Sequence, residues 1–172
     1  MSNPRVAILM GSDSDLKVMS EAARVLERME VAYEVEITSA HRTPDRTVEI
    51  VRGAPGRGVR VFIVGAGAAA HLAGVVAAHS RLPVLGVPLA SSDLQGLDAL
   101  LATVQMPGGI PVGALAIGKA GAKNAALLAC QILALSDEAL GERLDADRRA
   151  MAESVARKSA KARETLSTLL SE

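Results

Sequence analysis

Five times along this chain a short apolar run, a small or polar loop and a longer helix-compatible segment follow one another, which leaves few folds open to it. The runs place strands at Val6–Met10, Tyr33–Ile37, Val59–Val64, Val84–Val87 and Val112–Ile117, each feeding a helix. Runs such as VFIV and PVLGV have no alternating polar positions, so both their faces need cover, and intervening helices supply it for a parallel sheet. The pattern predicts an α/β fold built on a doubly wound, five-stranded parallel sheet. The first helix is expected over Asp15–Met29, with Leu16, Met19, Ala23, Val25 and Leu26 on its inner side. The second starts at Pro44, with Thr43 as N-cap and Asp45 favourable to the helix dipole. Gly53–Gly58 reads as a turn at the opposite edge of the sheet.

Right-handed crossovers gather the strand-to-helix loops on one edge, outside the carboxyl ends of the strands, where ligands of such sheets bind. That rule selects residues 11–15, 39–42, 65–71, 88–93 and 118–124. Charge is distributed unevenly around them. Between Val61 and Ala134 the only formal charges are Arg81, Asp93, Asp98, Lys119 and Lys123, whereas residues 137–172 carry eight acids and seven bases. So apolar a centre predicts helix packing between subunits. The charged C-terminal segment reads as one or two amphipathic helices with Leu140, Leu144, Met151, Val155, Leu166 and Leu169 inward, capping the domain or embracing a neighbour. No linker or repeat breaks the chain, which is expected to be one domain: an α/β core over 1–135 and C-terminal helices over 136–172.

Composition closes several functional classes. Nineteen Lys plus Arg against nineteen Asp plus Glu leave no net charge for a phosphate backbone or an anionic lipid surface. With no Trp, one Phe and one Tyr there is no stacking platform for single strands, so nucleic acid is not an expected partner. The single cysteine, Cys130, makes no disulfide and supplies no zinc spacing; with no signal-peptide pattern at the start, it points to a reducing cytoplasm. Residues 61–78 could cross a bilayer by length, but β-branched VFIV followed by Gly and Ala reads better as a buried strand feeding a helix, and no membrane partner is expected.

The chemistry sits in the loops. His41 lies between Ser39 and Arg42 in a strand-to-helix loop, where an imidazole can give or take a proton near neutral pH. Arg42 offers a planar fork for phosphate or carboxylate, and Ser12, Ser14 and Ser39 offer hydroxyls near helix N-termini, which favour anions. Asp15 at the same loop fits a ligand that also brings hydroxyls, as a ribose phosphate does. Each of Ser12, Ser14 and Asp15 also reads as an N-cap, a role only one of them can fill. The Gly65–Ala70 loop is a partial dinucleotide fingerprint, misplaced after the third strand and lacking the acid about 20 residues on. Its small residues are expected to let a ligand ring approach the backbone. His71 borders it, with a helix-start role as its plain alternative. Cys130 sits among Leu and Ile at helical spacing and reads as buried. No His, Asp and Glu cluster has metal-ligand spacing, and no Walker loop occurs.

Taken in order, Gly11-Ser12-x-Ser14-Asp15, Ser39-Ala40-His41-Arg42-Thr43-Pro44, Gly65-Ala66-Gly67 through His71-Leu72, Pro83 to Pro88, and Gln105-Met106-Pro107 with Gly109-Ile110-Pro111-Val112 form a recognisable set. The chain resembles the N5-carboxyaminoimidazole ribonucleotide mutases of purine biosynthesis over roughly residues 5–135. The resemblance implies a flavodoxin-like three-layer sandwich, a homo-octamer with sites at subunit contacts, and a rearrangement needing neither cofactor nor metal. It implies His41 as general acid and base, with Ser12, Ser39 and Arg42 at the phosphate, Asp15 at the ribose and Gly11 among the substrate-binding residues. Gly67, Ala70 and His71 would then cover the base and the migrating carboxylate. A sister class that carboxylates aminoimidazole ribonucleotide with free carbon dioxide typically has Lys where Arg42 stands, so the mutase is favoured. The chain departs from the mutase pattern at Ala68, usually Gly, and at Ala73, usually Pro. A nucleotide-binding module without catalysis, or a purely structural shell, are the alternatives; fold alone would permit either.

Overall fold

A computed structural model describes residues 3–170. Strands β1 (Val6–Met10), β2 (Tyr33–Ile37), β3 (Val61–Gly67), β4 (Val84–Leu89) and β5 (Gly113–Ala114) form one parallel sheet in the order β2-β1-β3-β4-β5. Helices α1 (Leu16–Arg28), α2 (Pro44–Arg57), α3 (Leu72–His79), α4 (Leu97–Val104) and α5 (Lys119–Ala134) alternate with the strands, and α6 (Glu138–Leu169) ends the fold. This is the expected α/β architecture in flavodoxin-like order, whose order of strand addition reverses between β1 and β3 while all strands stay parallel.

Two cores hold the three layers together. Val6, Ile8, Met10, Val61, Ile63 and Leu85 face α1 and α5, with Leu140 of α6 completing that layer. Ala7, Leu9, Phe62 and Val64 face α2, α3 and α4 through Val51, Ala54, Leu72, Val76 and Ala99. Phe62 is fully buried, and removing such a side chain from water contributes about 1.5–3 kcal/mol. On α1 the inner face is Met19, Ala22, Val25 and Leu26. Leu16, expected inward, is 49% exposed because it opens the helix directly after the loop, before the helix settles on the sheet.

Several boundaries differ from those the sequence predicts. β3 begins two residues late and continues through Gly65-Ala66-Gly67, because these residues pair in register with Val87, Pro88 and Leu89. What reads locally as a glycine turn is therefore strand. β4 likewise continues through Pro88, whose carbonyl accepts from Gly118 N–H at 2.9 Å. That side faces the region past the end of β5, so the missing proline N–H costs no ladder bond. β5 is only two residues long instead of Val112–Ile117. Gly53–Arg57 is the last turn of α2, not an open turn.

Cys130 is buried as expected, and burial pushes its thiol up to about 11. Among the described residues no helix is long and apolar enough to cross a membrane, and residues 61–78 form β3 and most of α3. The C-terminal segment is one continuous helix. Only Leu140 is fully buried and Leu144 partly so, while Met151, Val155, Leu166 and Leu169 are 50–66% exposed. They were expected inward, but a helix of 32 residues outruns the domain it packs on. The last two positions of the expected 136–172 segment lie outside the described residues.

Candidate active site

The loops after β1, β2 and β3 meet where the strand order reverses and enclose a cavity of about 310 Å³. Gly11, Ser12, Ser14 and Asp15 line it from the first loop, Ser39 to Arg42 from the second, and Ala66, Gly67, Ala69 and Leu72 from the third. Ser91, from the loop after β4, closes the fourth side. A larger cleft of about 910 Å³ lies at the amino-terminal edge of β4 and β5, by Arg52, His79, Arg81 and Pro111. It joins cations to apolar walls without a carboxylate, so the smaller cavity has the richer acid–base chemistry.

In the first loop Ser12 is the N-cap of a single 3-10 turn, Asp13–Asp15. Its hydroxyl accepts from Ser14 N–H at 3.3 Å, and the Asp15 carboxylate accepts from Ser12 N–H at 3.1 Å, a reciprocal capping box. Ser12 thus caps the 3-10 turn with its side chain, while Asp15 holds the N-cap position of α1 without a capping bond there. Burial pushes the Asp15 carboxyl above its ordinary range, against the lowering pull of the Ser12 and Gly11 N–H groups.

The second loop is held by threonines. Thr38 and Thr47 share a buried hydrogen bond of 2.7 Å, and Thr43 Oγ1 accepts from Ser39 N–H at 2.9 Å. Thr43 is N-cap of α2 by position, but its hydroxyl makes no capping bond there because it is turned to Ser39. Ser39 Oγ in turn accepts from Arg42 N–H at 3.1 Å. This stapling fixes the turn that presents His41 and Arg42, and Arg42 donates to the Gly11 carbonyl at 3.2 Å, joining the two loops.

The third loop brings His71 to His41. His41 Nε2 and His71 Nδ1 are 2.8 Å apart, with the rings edge to face. One nitrogen carries the proton and the other accepts it, so the pair shares a proton across the mouth of the cavity. Gly67 is small for a reason the sequence does not give: a Cβ there would lie 1.8 Å from Ser91 Oγ, so the residue makes room for Ser91. Ala70, expected at the substrate, is 1% exposed in the core under α3 and does not line the cavity. Ala68 has φ +49°, the left-handed region where an L side chain costs about 1–2 kcal/mol. Ala68→Gly is expected to stabilise the protein by about 1 kcal/mol, read as a melting temperature higher by about 2–4 °C; an unchanged or lower value would show that the surrounding loop has absorbed the strain.

Of the residues singled out from sequence, Gly11, Ser12, Asp15, Ser39, His41, Arg42 and Gly67 line the cavity, and His71 reaches it through His41. Ser91 and the Thr38–Thr47 pair were not anticipated. Ser91 stands in a selected loop without any motif, and only the 38, 43, 47 threonine spacing hinted at the second. Among the described residues no group of three His, Cys, Asp or Glu is placed to hold a metal.

The AIR carboxylase family model matches residues 5–154. An N5-carboxyaminoimidazole ribonucleotide mutase of Brucella melitensis is 58% identical over 151 residues, covering 88% of this chain and 93% of that protein. The protein of the same name from Escherichia coli K12 is 54% identical over 155 residues, covering 90% of this chain and 92% of its own length. A crystal structure of Treponema denticola PurE superposes with a TM-score of 0.83 at 28% identity, covering 92% of this chain and 98% of that one.

Proposed function

Since the chain belongs to the AIR carboxylase family, we propose that it converts N5-carboxyaminoimidazole ribonucleotide to 4-carboxy-5-aminoimidazole ribonucleotide, an isomerisation in purine biosynthesis. The observation that carries this reading is the placing of His41, hydrogen-bonded to His71, on a cavity that also gathers Arg42, hydroxyls and a half-buried carboxyl. A proton-transfer group beside anion-holding and hydroxyl-holding groups is what a carboxylated ribose phosphate requires.

In this reaction the bond between the exocyclic nitrogen and the carboxylate breaks, releasing carbon dioxide as the nitrogen takes a proton from His41. The ring carbon then attacks the retained carbon dioxide, and His41 removes the proton that this carbon bore. One proton is given and one recovered, so the histidine ends as it began. Ser12, Ser39 and Arg42 hold the phosphate. Asp15 accepts from the ribose hydroxyls, which restores part of the solvation its carboxyl loses by burial. Gly67 and Leu72 bound the space over the base and, with His71 behind His41, keep water from the carbon dioxide.

The sister reaction, direct carboxylation with free carbon dioxide, shares the second step. Relatives named as mutases at 54–58% identity, together with Arg42 in the second loop, favour transfer. The test is product formation from freshly made N5-carboxyaminoimidazole ribonucleotide beside aminoimidazole ribonucleotide with bicarbonate. Product from the first alone is expected; product from the second alone at high bicarbonate would move the chain to the carboxylase reaction. Silence with both would leave a binding module. Arg42→Ala is expected to raise KM at least about tenfold with a smaller change in kcat, since a charged hydrogen bond to phosphate contributes about 1.5–3 kcal/mol.

The same reading includes assembly as a homo-octamer in the cytoplasm. The assembly is supported by Leu97, Leu101 and Val104 along α4 and Leu94 just before it, each about half or more exposed, a run of apolar surface a lone subunit has no use for.

A further inference from the structure

The two halves of the cavity are furnished differently. On the side of β1 and β2 it is lined by Ser12, Ser14, Asp15, Ser39, His41 and Arg42. On the side of β3 and β4 the lining is Ala66, Gly67, Ala69 and Leu72, and among the described residues Ser91 is the one polar side chain there. A nucleotide whose phosphate and ribose occupy the first half brings its base and carboxylate to the second. No lysine or arginine meets them there: Arg81, the only one between Val61 and Gly118, lies at the opposite edge of the sheet.

The Ser91 hydroxyl is unlike those of the other serines in the cavity. Ser14 Oγ donates to Ser12 Oγ at 2.9 Å, Ser12 Oγ donates to Asp13 at 3.1 Å, and Ser39 Oγ accepts from His41 N–H at 3.4 Å and Arg42 N–H at 3.1 Å. Ser91 Oγ makes no hydrogen bond among the described residues. Its position is nonetheless fixed. Ser91 N–H donates to the Leu89 carbonyl at 3.1 Å. The next residue, Ser92, donates to the Asp98 carboxylate at 2.7 Å and accepts from Leu94 N–H at 3.2 Å, which ties the loop to the start of α4. Gly67, having no side chain, leaves open the space that the hydroxyl fills. A hydroxyl held at one point of an otherwise apolar wall, with its donor unused, is placed to orient a ligand.

Resting on the mutase reading above, we propose that Ser91 Oγ donates a hydrogen bond to the carboxylate that migrates. A neutral donor suits this place. A cation would hold the starting carboxylate too firmly, because its attraction is lost once neutral carbon dioxide forms. A hydroxyl gives up less when carbon dioxide leaves the nitrogen, and it meets the carboxylate again on the ring carbon. No proton passes to or from Ser91.

Equilibrium binding of two nucleotides to the full-length protein tests this. One is 4-carboxy-5-aminoimidazole ribonucleotide; the other is aminoimidazole ribonucleotide, the same molecule without the carboxylate. Ser91→Ala is expected to weaken binding of the first about tenfold or more, as loss of a hydrogen bond to a charged group does, and to leave the second within about twofold of the parent. The unchanged second affinity also shows that the cavity is intact. Ser91→Cys, which keeps the shape with a weaker donor, is expected to fall between. A parent protein that binds neither nucleotide would overturn the mutase reading and the role of Ser91 with it. A parent that binds both, with Ser91→Ala weakening both equally or neither, would overturn the role of Ser91 alone.

Discussion

His41→Asn is expected to lower kcat by about 10²- to 10⁴-fold while leaving substrate affinity within a few-fold of the parent. Asn keeps a polar amide near the place of the ring's Nδ1 but ends short of Nε2, so the 2.8 Å contact with His71 Nδ1 is given up along with the proton-transfer group. What it loses is a group able to carry a proton away from one substrate atom and deliver one to another. The residues proposed to hold the phosphate are untouched, because Ser39 Oγ and the Arg42 guanidinium are fixed by their own hydrogen bonds to the backbone. Steady-state kinetics with N5-carboxyaminoimidazole ribonucleotide, paired with a direct binding measurement, separates the two quantities. A variant that binds and turns over normally would remove His41 from the mechanism. One that merely loses affinity would make it a binding residue. Arg42→Ala changes the opposite quantity, so the two neighbours together give a kcat-against-KM division that a nonspecific loss of folding cannot imitate.

Gly121→Ala is expected to destabilise the protein by about 3 kcal/mol or more, read as a lowered denaturant midpoint and a melting temperature down by about 6–12 °C. Gly121 is buried in the first turn of α5, against the segment that follows β5. A Cβ there would stand 1.6 Å from the Ala116 carbonyl oxygen and 2.7 Å from its carbon. Both are backbone atoms, so no side-chain rotation relieves the overlap; either α5 lifts off the sheet or residues 115–118 move. The second course pulls on β5, which has only two residues in the sheet to resist with. Gly141→Ala is the control. That glycine lies within α6 with nothing inside 4 Å of its would-be Cβ, and alanine there should add about 0.5–1 kcal/mol of stability. The same methyl is thus expected to act with opposite sign at two helical glycines. Equal effects at both would mean that contact with Ala116 does not limit how closely α5 approaches.

The chain order of polar and apolar residues determined the class of fold. Apolar runs too uniform for one-sided burial, each followed by a helix-compatible stretch, leave a covered parallel sheet as the solution. β1 and β2 match their expected limits to the residue, and the crossover rule then brings the first three loops to one edge. His41, Arg42, Ser12 and Asp15 were legible because those residue types, in loops at that edge, point to acid–base and phosphate chemistry before any contact is known.

The tertiary structure decided what depends on partners distant in sequence. Gly65-Ala66-Gly67 has poor strand propensity, and only its register against Val87, Pro88 and Leu89 makes it strand. That added length shifts the third loop onward, which puts Ala70 into the core and His71 beside His41. Gly67 reads as a place for a ligand, and it lines the cavity, but that its smallness also makes room for Ser91, 24 positions later, is seen only in the fold. Thr43 reads as a cap until Ser39 claims its hydroxyl. The apolar positions of α6 have helical spacing, but periodicity cannot say where the body beneath a helix ends. Local sequence sets propensity and which residues share a face, because both depend on neighbours within a turn or two. Register, closeness of approach and the mate of each polar group are long-range quantities, settled only when the layers pack.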